Sequence, residues 1–170
     1  MKTIYGKLIL LLMLFGMASF TVNAQNARKE RQAKKAAEVK ALIDSGTYVF
    51  VPESANPMRG GNINLTPEYD LHVSKDTLIA YLPYFGQAYQ APLDPMDGGI
   101  HFTSTRFSYF PKLLKKGGWE ISIKTADAKG VEKMFMNISD DGYASLQITS
   151  TNRDPISFQG YIEAPKKKKA

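Results

Sequence analysis

The residues of this chain that could do acid–base chemistry are its two histidines, His72 and His101, and the carboxylates near them. Asp94 and Asp97 lie just upstream of His101, so a general acid–base pair of the kind hydrolases use can be drawn on the sequence. Alternation argues against it. In a strand, His101 points away from its neighbours Ile100 and Phe102, onto a face where a solvated or hydrogen-bonded imidazole is the ordinary outcome. His72 points the same way as Asp70 and Ser74, again a surface arrangement. The chain has 0 Cys, which excludes thiol catalysis and cysteine-based zinc sites, and two histidines are too few for a histidine-rich metal site. There is no G-x-S-x-G elbow, no H-E-x-x-H, and no phosphate-binding glycine motif opening a helix. Asp94-x-x-Asp97-Gly98 and Asp140-Asp141-Gly142 lack the full spacing of a calcium loop, and the second is better read as a hairpin turn. No cofactor and no metal is expected, and a hydrolase built on His101 has the least support of the functional readings.

Aromatic side chains offer a different chemistry. The stretch Pro83 to Gly99, PYFGQAYQAPLDPMDGG, is too long for a hairpin loop and breaks an otherwise tight rhythm of strands and turns. Such loops are functional or else pack across an open end of a sheet. Flat rings and phenolic hydroxyls suit an apolar, amphipathic or sugar-like ligand, so the candidate ligand-binding residues are Tyr81, Tyr84, Phe85, Tyr89, His101 and Phe102. The competing reading is a lid that plugs a barrel mouth and binds nothing. Trp119 begins a strand on its apolar face and belongs with the core.

The elements that must position these residues follow from periodicity. Residues 1–24 have the three-part pattern of a signal peptide: Lys2 and Lys7, an apolar run from Leu8 to Met17, and Val22-Asn23-Ala24 before an expected cut ahead of Gln25. No cysteine follows that site, so a soluble periplasmic or secreted protein is expected rather than a lipid-anchored one, with no transmembrane span after cleavage. Residues 25–46 hold a basic helix: Ala27 to Asp44 is rich in Ala, Lys, Arg and Glu, and Ala36, Val39, Leu42 and Ile43 give its second half an apolar stripe. Gly46 ends it. From 47 to 163 the period becomes two, with turns at Lys75-Asp76, Lys116-Gly117-Gly118, Asp127 to Gly130 and Asp140-Asp141-Gly142. The first run, Tyr48 to Val51, ends at Pro52, and Thr77 to Leu82 carries apolar residues on both faces and is expected to be central. Connections this short join only antiparallel neighbours. The expected fold is therefore mainly β, an antiparallel meander curled into a barrel-like or sandwich domain, with one N-terminal α-helix. Residues 164–170 form a basic tail without structure.

The formal net charge of +6 is concentrated at the two ends. Arg28, Lys29, Arg31, Lys34, Lys35 and Lys40 stand against Glu30 and Glu38 in the helix, and Lys166 to Lys169 close the chain, while the body between them is mildly acidic. A nucleic-acid surface would need positive charge on the structured face, so no nucleic-acid partner is expected. Contact of the ends with an acidic envelope component is the second functional reading after ligand binding. The oligomeric state is not legible.

Three blocks in order, YLPYFGQAY from Tyr81 to Tyr89, GGIHFTS from Gly98 to Ser104 and KKGGWEISI from Lys115 to Ile123, resemble the signature of DUF4251, a domain family of unknown function in exported proteins of Bacteroidetes bacteria. The resemblance covers most of the chain from the basic helix to the final strand. It implies a Gram-negative envelope location, and it carries no activity, cofactor or catalytic residue onto these positions.

Overall fold

A computed structural model describes residues 27–66, 68–89, 98–128 and 130–166. Helix α1, residues 27–45, is exposed over its polar first half and buries Val39 and Ile43 in the second, as the apolar stripe predicts. It stops at Gly46, whose N–H donates to Ile43 O at 3.0 Å. Ten strands follow: β1 (Tyr48–Pro57), β2 (Ile63–Asn64), β3 (Asp70–Val73), β4 (Leu78–Leu82), β5 (Ile100–Ser104), β6 (Phe107–Leu113), β7 (Trp119–Thr125), β8 (Val131–Ile138), β9 (Tyr143–Ser150) and β10 (Ile156–Glu163).

All pairings are antiparallel, and the ladder runs β5-β4-β3-β1-β10-β9-β8-β7-β6, with β2 pairing β1 off this path. This is chain order closed into a ring: the meander returns by its last strand, β10, to its first, β1. Strand direction alternates along the ladder, so its two terminal strands, β5 and β6, run the same way. Only Thr105 and Arg106 separate them. They are therefore two halves of one bent strand, the first pairing β4 and the second β7, and the result is a nearly closed barrel. Of the two architectures the alternating pattern allows, the structure is the barrel.

The bend is held by one carboxylate. Asp127, in the β7–β8 loop, accepts hydrogen bonds from Ser104 Oγ, from Thr105 N at 3.0 Å and from Arg106 N at 3.1 Å. These bonds stabilise the ionised form, and with the Ser104 bond leading they hold the carboxyl below its usual range.

Eight strand elements, counting the bent pair as one, enclose an interior that side chains can fill. Here they do. Tyr48, Phe50, Leu71, Leu78, Leu82, Ile121, Ile123, Met134, Met136, Leu146 and Phe158 are fully buried in a single core. Two details depart from the sequence expectation. β1 continues through Pro52 to Pro57, because the register shifts between Pro52 and Ser54 and the proline sits at that bulge. The two backbones come so close there that a Cβ on Gly160, opposite Pro52, would lie 2.0 Å from Val51 O. β4 is flanked on both sides, yet Ile79 and Tyr81 face solvent at 43% and 47% exposure, so its outer face is apolar without being covered.

Candidate functional site

The barrel has two differently built ends. α1 packs across one, and the first residues of the segment after β4 lie at the other. The described part of that segment, residues 83–89, is fastened to the β9–β10 connection. Tyr89 N donates to Asn152 O at 2.9 Å, and Asp154 N donates to Gln87 O at 3.1 Å, an antiparallel bridge centred on Ala88 and Arg153. Tyr84 Oη lies 3.0 Å from Gln87 O and 3.1 Å from Asp154 O, while Tyr89 Oη donates to the Asp154 carboxylate. The far stem is tied to the same place: Arg153 Nη1 donates to Gly99 O at 2.6 Å, and its guanidinium stands 5.1 Å from the Tyr84 ring centroid. One three-residue stretch, Asn152 to Asp154, thus holds both stems of the long loop.

Electrostatics agree with this geometry. Asp154 is buried, at 5% exposure. The Tyr89 phenol is raised above its ordinary value first by its hydrogen bond to that carboxylate and then by the carboxylate's charge. Tyr84 is raised first by burial and then by Asp154, with Arg153 acting in the opposite sense.

The six candidate ligand residues fall into three groups. Tyr84 and Tyr89 belong to the clamp. Phe85 and Phe102 are half-buried and pack against the core. Tyr81 and His101 are cross-strand partners on the outer face, their rings stacked with centroids 4.5 Å apart, and Tyr69 extends the stack at 5.6 Å from Tyr81. Stacked this way, Tyr81 has both faces occupied and offers its edge and hydroxyl. The imidazole also leans over Gly99, where any Cβ would lie 2.5 Å from His101 Nε2. His101 faces outward, as alternation predicts, and the carboxylates considered with it, Asp94 and Asp97, lie outside the described residues. The described His–Asp contact is instead exposed His72 Nε2 with half-buried Asp70 Oδ2 at 3.0 Å. Among the described residues, no three metal-ligating side chains come together.

Asn152, Arg153, Asp154, Gln87 and Tyr69 enter the site without having been singled out by the sequence. Asn152 to Pro155 has the composition of an ordinary turn. Nothing local marks Asp154 as buried, because its partners are Tyr84 and Tyr89, far away in the chain.

Fold and site together define a meander β-barrel with a helix on one end and a clamped aromatic loop on the other. A profile described as "Domain of unknown function (DUF4251)" matches residues 30–162, and the chain belongs to that family. A crystal structure of a DUF4251 family protein from Bacteroides eggerthii has the same fold at a TM-score of 0.58 and 16% identity, covering 78% of this chain and 91% of that one. Among curated proteins, none matches the chain.

Proposed function

We propose that this is an exported domain of a bacterial envelope that holds a small apolar or amphipathic molecule at the loop end of the barrel. The observation that carries the reading is the double clamp. Closing a connection between two strands does not require both of its stems to be tied to a third segment through a buried carboxylate and an arginine, and ordering residues 83–89 costs conformational entropy. The aromatic groups held there are Tyr84, Phe85 and Phe102, with Tyr89, Tyr81 and His101 exposed at the rim. Because the interior is filled, the ligand sits at this mouth rather than inside a calyx. Export rests on the signal-like pattern of residues 1–24, which lie outside the described residues, and a structural relative from a Bacteroides species suits that setting.

The test is capture from lipid and glycan pools by the chain from Gln25 onward. Tyr84→Ala and Tyr89→Ala should each weaken capture about tenfold or more, the loss expected when an anchoring aromatic is truncated. Capture that survives both substitutions removes the loop from the account.

A further inference from the structure

Basic helix α1 and the end of β10 are far apart in sequence, and the fold brings them to one end of the barrel. Their meeting point is Gly142. A Cβ built there would lie 3.2 Å from Val39 Cγ2 and 3.7 Å from Lys35 Cε of α1, and Gly142 O accepts a hydrogen bond from Ile162 N at 2.9 Å. One residue further β10 ends at Glu163, and the chain proceeds to Lys166, 90% exposed, with Lys167 to Lys169 next in sequence. The β6–β7 turn adds exposed Lys115 and Lys116 beside them. That turn is joined to the β8–β9 turn by Gly118 N donating to Asp140 Oδ1 at 2.8 Å, and to α1 by Lys40 Nζ, 5.9 Å from the Trp119 ring centroid.

Of the acidic side chains at this end, Asp44 is engaged by Lys40, Asp140 by Gly118 N, Asp141 by Ser139 Oγ and Glu163 by Lys166, while Glu30 and Glu38 stand exposed on α1 among its more numerous cations. The helix cations from Arg28 to Lys35, and both turn lysines, form no ion pair among the described residues. An open cleft of about 670 Å³ is lined by Arg28, Arg31 and Lys35 on α1 and by Asp140 and Asp141 of the β8–β9 turn. Two large apolar side chains stand exposed among these charges, Leu113 at the end of β6 and Tyr143 at the start of β9, each at 62%.

We propose that this end of the barrel docks on the anionic headgroup surface of a lipid bilayer. The cations meet lipid phosphates, and Leu113 and Tyr143 reach the interfacial layer, where an aliphatic or amphipathic aromatic tip is favoured. A soluble polyanion would use the charges and leave those two side chains without a role. Attachment is peripheral: the apolar face of α1 is spent on the barrel, and no helix among the described residues is long and apolar enough to cross a membrane. The inference does not depend on a ligand at the opposite end.

The chain from Gln25 onward, which contains every described element, is sedimented with vesicles of phosphatidylcholine alone or mixed with phosphatidylglycerol. Binding is expected only to the mixed vesicles and should fall steeply as added salt shortens the screening length. Each cation near an anionic leaflet contributes about fivefold in partitioning, so replacing Lys29, Arg31 and Lys34 together by Ala should weaken binding at least about tenfold. Leu113→Ser with Tyr143→Ser should weaken it several-fold at unchanged charge, with circular dichroism matching the parent to show that the barrel is intact. Equal binding to both vesicle types, or to neither, overturns the proposal. So does binding that the Leu113/Tyr143 pair leaves untouched while polyphosphate displaces it completely, which is the behaviour of a site for a soluble polyanion.

Discussion

The two ends of the barrel are closed by different physics. At the helix end, Val39 and Ile43 each keep 1% of their accessible area, and contact is hydrocarbon on hydrocarbon, without direction. At the loop end, closure depends on oriented donors and acceptors around Asn152 to Asp154, with Tyr89 itself 67% exposed. Burial makes α1 part of the cooperative unit, whereas closure by a few hydrogen bonds is expected to let the loop stems open while the barrel stays folded.

The largest effect that tests this contrast is at the helix end. Ile43→Ala should lower global stability by about 2–5 kcal/mol, the range for truncating a buried Ile, read as a lower denaturant midpoint for the whole domain. Loss of helix signal in a separate, earlier transition would make α1 an appendage and erase the contrast.

Asp154→Ala comes next. It removes a buried acceptor and should reduce the opening free energy of residues 84–89 by about 1–3 kcal/mol, seen as faster amide exchange there with little change at β7 to β9. Equal acceleration across the barrel would show that both ends belong to one unit.

A smaller effect sharpens the comparison through tyrosine ionisation. Tyr48 and Tyr109, inside the barrel, are both raised primarily by burial. Tyr89 is raised primarily by its bond to Asp154. Asp154→Asn should therefore return Tyr89 toward its ordinary value in a spectrophotometric titration and leave Tyr48 unmoved. A phenol raised on folding contributes stability that is complete below its unfolded value, about 10, and is lost as pH rises through the folded one. The loop stems should accordingly loosen in strong alkali.

The smallest effect concerns the bend joining β5 to β6. Asp127 is depressed on folding, so its contribution is present above the unfolded carboxyl value and disappears as pH falls through the folded one. Asp127→Asn should be less stable than the parent at neutral pH, and the gap should close on acidification. A gap independent of pH would assign the loss to shape rather than charge.

Much of this architecture was legible residue by residue. The helix, the strands after Gly46, their antiparallel sense, the outward aim of His101 and the charge at the two ends all follow from spacing and composition, since each depends on neighbours a few positions away. The six candidate aromatic and histidine positions were legible only as a set. That Tyr84 and Tyr89 grip Asp154, while Tyr81 stacks on His101, depends on which strands and loops lie side by side. The bulge at Pro52 escaped notice for the same reason, because the strand is continued by pairing with β10, and no feature near Pro52 announces that partner.

Sequence alone determined where the backbone is helical or extended and which faces are apolar, because side-chain alternation is a local property of the polypeptide. Tertiary structure decided that β10 returns to β1, that one bent strand serves both ends of the ladder, that a buried aspartate holds residues 84–89, and that α1 and the end of β10 meet at one end of the barrel. Each of these requires segments remote in the chain to meet, and their meeting is set by how all the apolar faces can be buried at once in a single ring.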